Sequence, residues 1–112
     1  MKEVKLGSVE MGEDSIFHSA YPHLTVSFPI TPGTAYPQGT MLQIDTATSK
    51  LEASDLTARV YVAVSDILAT ADSAEVGVLG AVRSEVLKMP SGAAPTLAQI
   101  ITMMEKSPLA VI

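Results

Sequence analysis

A chain of 112 residues supports one modest core, and an apolar fraction of 47 % places it among globular proteins. Twelve acidic against seven basic side chains leave a formal charge of −5 with no local run of Lys or Arg, which argues against a nucleic-acid partner. Cysteine is absent, excluding disulfides, thiolate catalysis and Cys-ligated zinc; charged residues make up only 17 %, a balance that often accompanies a surface covered by a partner.

In chain order, residues 1–23 read as an extended arm, with glycines at 7 and 12, acids at 3, 10, 13 and 14, and only isolated apolar side chains. Charges interrupt "MKEVKLGSVEMGED", so no signal peptide is expected, and no later window reaches the ~18 apolar residues of a membrane span. The expectation is a protein that is soluble and cytoplasmic at synthesis, with no membrane partner. In "EVKLG", Val4 and Leu6 alternate against Lys5, a pattern suited to adding a strand to the sheet edge of a partner. With Val9, Ile16 and Phe17 they form the candidate docking residues of the arm. The domain proper is then 24–112, and every strand from Leu24 onward is expected to stand without the arm.

"LTVSFPI" alternates Leu24, Val26, Phe28 and Ile30 against Thr25, Ser27 and Pro29, the pattern of a half-buried strand whose proline demands an edge or a break. "TPGTAYPQG" is a turn-rich connection. Short strand-like pieces follow at 40–44, 50–53, 59–65, 74–80 and 81–87. In "RVYVAVS", Val60, Val62 and Val64 share one face while Tyr61 and Ala63 share the other; both faces are apolar, which predicts a central strand. Gly77 and Gly80 mark a bulge or a close approach, because no phosphate-binding context surrounds them.

One helix is well signalled. "TLAQIITMMEKS" begins with Thr96 as N-cap and Gln99 three residues on, a capping-box pattern, between Pro95 and Pro108. Leu97, Ile100, Ile101 and Met104 form an apolar stripe able to lie on a sheet or a partner, with Met103 and Met104 as gap-fillers on its packing face. The apolar tail "LAVI" is expected in the core, at a sheet edge or at a subunit contact. The fold class is therefore α+β: a small β-rich single domain of short strands, one helix in the C-terminal half, and an extended N-terminal arm.

The search for chemistry finds no catalytic, cofactor-binding or metal-binding set. Asp45, Asp55, Asp66, Asp72, Glu75 and Glu85 sit in turns or at solvent-facing positions, and nothing requires a carboxylate pair across a cleft. His18 and His23, the two imidazoles, lie outside any helical ligand register and read as surface or turn residues anchoring the arm. The aromatic residues show no basic interleaving of the kind that stacks bases. An interaction protein is what remains.

The blocks "TAYPQGTMLQIDTATSKLEASD", "VAVSDILATADSAEVGVLGAVRSEVLKMP" and the closing "LAVI" resemble the head decoration proteins of tailed bacteriophages, the family of the capsid-stabilising protein of phage lambda. The resemblance covers roughly residues 32–112. It is carried by the Met41–Asp45 strand and turn, the Ser49–Leu51 return, the Val86–Pro90 segment and the terminal tetrapeptide. It implies a non-enzymatic cement protein of the virion, without cofactor, that forms a homotrimer. Such trimers sit at threefold positions on the outer surface of an expanded head, with the arm pairing with the major capsid protein. Competing readings are another virion structural protein (tail, baseplate or host-surface adhesion module) and a small hydrolase or metal-dependent enzyme.

Overall fold

The computed structural model describes residues 16–18 and 21–112. Strands β1 (Leu24–Pro29), β2 (Met41–Asp45), β3 (Lys50–Ala53), β4 (Tyr61–Ala63) and β5 (Ser73–Val82) precede helix α1 (Leu97–Lys106) and strand β6 (Leu109–Val111), with a 3-10 turn at Ser84–Val86. This is the small α+β domain that the sequence predicts.

The strands form one sheet in the order β1-β5-β4-β2-β3, with antiparallel neighbours, and β6 joins β5 in parallel beside Gly80–Val82. Pro29 lies at the end of β1, a sheet-edge strand, where its missing N–H breaks no inner ladder. β2 and β3 are joined by a turn that Asp45 organises: its carboxylate accepts from the Ala47 N–H at 3.0 Å and the Thr48 hydroxyl at 3.2 Å. Beyond β1, the chain at Ile30 bridges in parallel to Leu51 of β3, so the sheet curls and its two ends meet.

The period-two alternation of the strands fills both faces. Ile30, Leu42, Leu51, Ala63, Ile67, Ala74 and Val76 build one core, and Phe28 and Tyr61, in edge contact at 5.3 Å, pack against it. The opposite face carries Met41, Val60, Val62 and Val82, covered by Ile16, Phe17, Leu87, Met103 and Leu109. β4 contributes to both cores and runs between β5 and β2, the central position expected from its two apolar faces. It is shorter than the sequence pattern, with Arg59–Val60 and Val64–Ser65 outside the ladder.

Two expectations change. The pieces at 74–80 and 81–87 are one ten-residue strand, β5, followed by the 3-10 turn, so the glycines do not end the strand. They make room for a close approach, as their place in the pattern suggests. A Cβ on Gly77 would lie 2.5 Å from Phe17 Cζ, and one on Gly80 would lie 2.9 Å from Phe17 Cε1 and 2.7 Å from His23 Cβ. Phe17 fills that space, and the His23 ring stacks on it at 4.2 Å. Arg83 N–H donates to Ile16 O and His18 N–H to Ala81 O, pairing the segment antiparallel to the end of β5. Ile16, Phe17 and His23 are 0, 3 and 5 % exposed. Among the described residues the packed core therefore includes Ile16 and Phe17, ahead of Leu24, because an adjacent Ile–Phe pair gains more from the glycine-lined face of β5 than from water.

Gly39 has a different necessity. At φ +88° it sits where a Cβ would come within 1.8 Å of the Val86 carbonyl oxygen, and this approach lets Lys88 N–H bond to Gly39 O and Met41 N–H to Lys88 O.

Candidate interaction surface

Helix α1 forms where its cap is read. The Thr96 hydroxyl accepts from the Gln99 N–H at 3.2 Å while Gln99 Oε1 accepts from the Thr96 N–H at 2.8 Å, so two N-terminal donors are satisfied reciprocally. At the other end the Ser107 hydroxyl donates to Met103 O at 3.0 Å, and Pro108 prevents continuation into the short β6.

The orientation of α1 differs from the sequence expectation. Met103 is fully buried and Ile100 packs beside it, but Leu97, Ile101 and Met104 are 73, 45 and 39 % exposed. Most of the predicted stripe thus faces outward over successive turns, and Met104 is no gap-filler in the core. The contrast with the rest of the surface is one of charge. Residues 89–104 and 107–112 contain no ionisable side chain, Glu105 and Lys106 cancel, and the whole net charge of −5 resides in residues 1–88. Ile112, 51 % exposed, follows β6 in the same uncharged tail.

Other exposed apolar side chains stand in smaller groups. Leu68 borders a shallow open groove of about 270 Å³, whose lining mixes Asp66 and Glu75 with Ala71 and Ala74. Tyr21 and Leu79 are also exposed, with the Tyr21 ring tilted against His18 at 5.4 Å.

Of the candidate arm residues, Val4, Leu6 and Val9 lie outside the described residues. Ile16 and Phe17 are described and belong to the core, so their side chains are not available to a partner in this conformation. His18 is exposed, whereas among the described residues His23 is buried against Phe17 with no hydrogen-bond partner on Nδ1, an arrangement that anchors the segment. Among the described residues, no group of three or more His, Cys, Asp or Glu side chains could hold a metal ion. No helix among them is long and apolar enough to cross a membrane. Asp55, fully exposed, has its pKa lowered by hydrogen bonds from the Thr57 hydroxyl and then the Thr57 N–H, which marks a turn-forming carboxylate.

Sequence periodicity identified the α1 stripe but missed its direction. No local signal gives the direction, because Ile100 and Met103 form a second apolar edge that overlaps the stripe. No protein-family model matches the chain, and no curated protein matches it.

Proposed function

We propose that this is a non-enzymatic capsid decoration protein. In this reading it binds as homotrimers at threefold positions on the outside of an expanded phage head, contacts the major capsid protein, and stabilises the shell against the pressure of the packaged genome. The observation that carries a binding role is the exposed apolar face of α1 on a domain that otherwise closes two cores. The class of partner comes from the resemblance of residues 32–112 to the head decoration family.

The mechanism needs no bond-making. A ligand that binds the expanded lattice better than its precursor stabilises the expanded state by mass action. Trimerisation triples the formal charge of −5, which disfavours contact with packaged DNA and suits the outer surface. Weak single contacts suffice, because after one protomer docks the other two bind intramolecularly. Since Ile16 and Phe17 are committed to the core, the docking arm in this proposal is residues 1–15, with Val4, Leu6 and Val9 as its side-chain anchors.

The test is binding to expanded and unexpanded heads, read by sedimentation and by image reconstruction. Saturable occupancy of threefold positions on expanded heads alone is expected. Equal binding to both forms, sixfold rings, or no binding would overturn the proposal.

A further inference from the structure

We infer that residues 16–18 and the tail 109–112 form one two-sided latch on the last residues of β5, so that whatever grips or frees one of them tightens or loosens the other. The inference goes beyond the decoration reading and holds for any partner of either segment. It starts from two consecutive residues. The Arg83 N–H donates to Ile16 O and the Ser84 N–H donates to Ile112 O, each at 2.8 Å, so a single peptide step separates the holds on two segments far apart in sequence. The carbonyls alternate in the same way: Ala81 O accepts from the His18 N–H and Val82 O from the Ile112 N–H, each at 2.9 Å. Successive peptide groups of a strand point to opposite edges. One edge of β5 at its end therefore carries Phe17, antiparallel to Val82, and the other carries β6 in parallel.

Two features couple the edges. The side chains share one core: Ile16, Phe17, Val82, Met103 and Leu109 pack in the same cluster, so a void left by Phe17 takes packing from the cluster that also seats the tail. The second feature is Gly80. It holds φ +138°, with Phe17 Cε1 and His23 Cβ at 2.9 and 2.7 Å from where a Cβ would stand, and it is the residue opposite Leu109 in the β5–β6 register. Having no side chain of its own, Gly80 takes its conformation from those neighbours, and a glycine freed of them loses the shape that pairs with β6. Loss of one edge thus passes across the strand to the other. Linkage makes the coupling reciprocal: a partner that stabilises the closed N-terminal segment favours the closed tail, and a partner of the tail favours the closed N-terminal segment by the same factor. Met103 ties α1 into the same cluster, so the helix shares in this coupling.

The experiment is native-state amide hydrogen exchange on the full chain, followed by NMR and corrected for intrinsic rates. The amides of His18 and Arg83 report the N-terminal side of the latch, those of Ser84 and Ile112 the tail side, and those of Tyr36 and Ile67, which bond each other's carbonyls, the other core. Phe17→Leu leaves part of the ring's space unfilled. It should speed exchange at Ser84 and Ile112 by at least about tenfold, together with His18 and Arg83, and change Tyr36 and Ile67 much less. Leu109→Ala should do the converse and speed His18 and Arg83 along with the tail, with Leu109→Val in its place if the alanine variant does not fold. Acceleration confined to the mutated side would overturn the inference, since the two segments would then be independent attachments. Equal acceleration of all six amides would also overturn it, because the segments would then leave only when the whole domain unfolds. No readout involves a capsid, so a protein that fails to bind heads removes the decoration reading and leaves this test as it stands.

Discussion

On one face of the sheet, all the core side chains, Ile30, Leu42, Leu51, Ala63, Ile67, Ala74 and Val76, lie between residues 30 and 76 and arrive on strands and their connecting turns. On the other face, Met41, Val60, Val62 and Val82 are covered only when Ile16 and Phe17 come from one end of the chain and Met103 and Leu109 from the other. Contacts between near neighbours in sequence cost little chain entropy to close, whereas the second core joins residues more than ninety positions apart. The two cores share the strands, so the second depends on the first, and it is the one that changes at either terminus can open.

The largest expected effect breaks that asymmetry at the N-terminal end. Removing residues 2–20 takes away both Ile16 and Phe17, each fully or almost fully buried. Core truncations of this kind cost roughly 2–5 kcal/mol apiece, so the loss approaches the ~5–15 kcal/mol that holds a domain together. Removing residues 2–15 takes no described core side chain. Urea midpoints should therefore fall steeply for the longer deletion and stay near wild type for the shorter one. A longer deletion as stable as the full chain would mean that the Phe17 packing contributes nothing to stability.

These residues also show where sequence reasoning stopped. Strand β3, the β2–β3 turn and the α1 cap were legible because their signals are local: alternation, an Asp-led turn, and Thr96 three residues before Gln99. Phe17 was not, because its pocket is made by glycines sixty residues later: a close approach could be read at Gly77 and Gly80, but not which residue makes it. The boundary drawn after Gly80 also split β5 in two. For α1, periodicity placed Leu97, Ile101 and Met104 on one face, but Ile100 with Met103 form a second, overlapping apolar edge. Burial of Met103 against β-strand residues decides which edge turns inward, and that is tertiary information.

The next effect sharpens the contrast at the C-terminal end, where one helix carries both a core edge and a solvent edge. Met103→Ala should cost roughly 2–5 kcal/mol, Thr96→Ala about 0.5–2 kcal/mol through loss of its cap, and Ile101→Ala no more than about 1 kcal/mol in the monomer. Denaturant midpoints measured at low protein concentration give the order. Ile101→Ala as the most damaging of the three would mean that the helix lies the other way round.

The smallest effect belongs to the turn after β3, which packs against the two-ended core through Leu56. Leu56 holds φ +66° there, and its N–H donates to the Ser54 hydroxyl at 3.1 Å, while Asp55 accepts from the hydroxyl and the N–H of Thr57. These bonds stabilise the charged carboxylate, so its folded-state pKa lies below the ordinary value of 3.8. A depressed pKa means that the folded state binds the proton less readily than the unfolded one. The contribution to stability is therefore complete above the ordinary value and is lost as pH falls through the lower folded one. Thr57→Val removes the hydroxyl bond, the larger cause, and keeps the N–H bond. The Asp55 carboxyl, followed by NMR, should titrate closer to 3.8 in the variant than in wild type. The stability difference between the two proteins should shrink as acid protonates Asp55 in both. Because the carboxylate is fully exposed, water and salt screen the interaction and the change in stability should be the least of the three. An unchanged Asp55 titration in Thr57→Val would show that the hydroxyl does not hold the carboxylate in solution, leaving the backbone bond and the Leu56 contact to fix this turn.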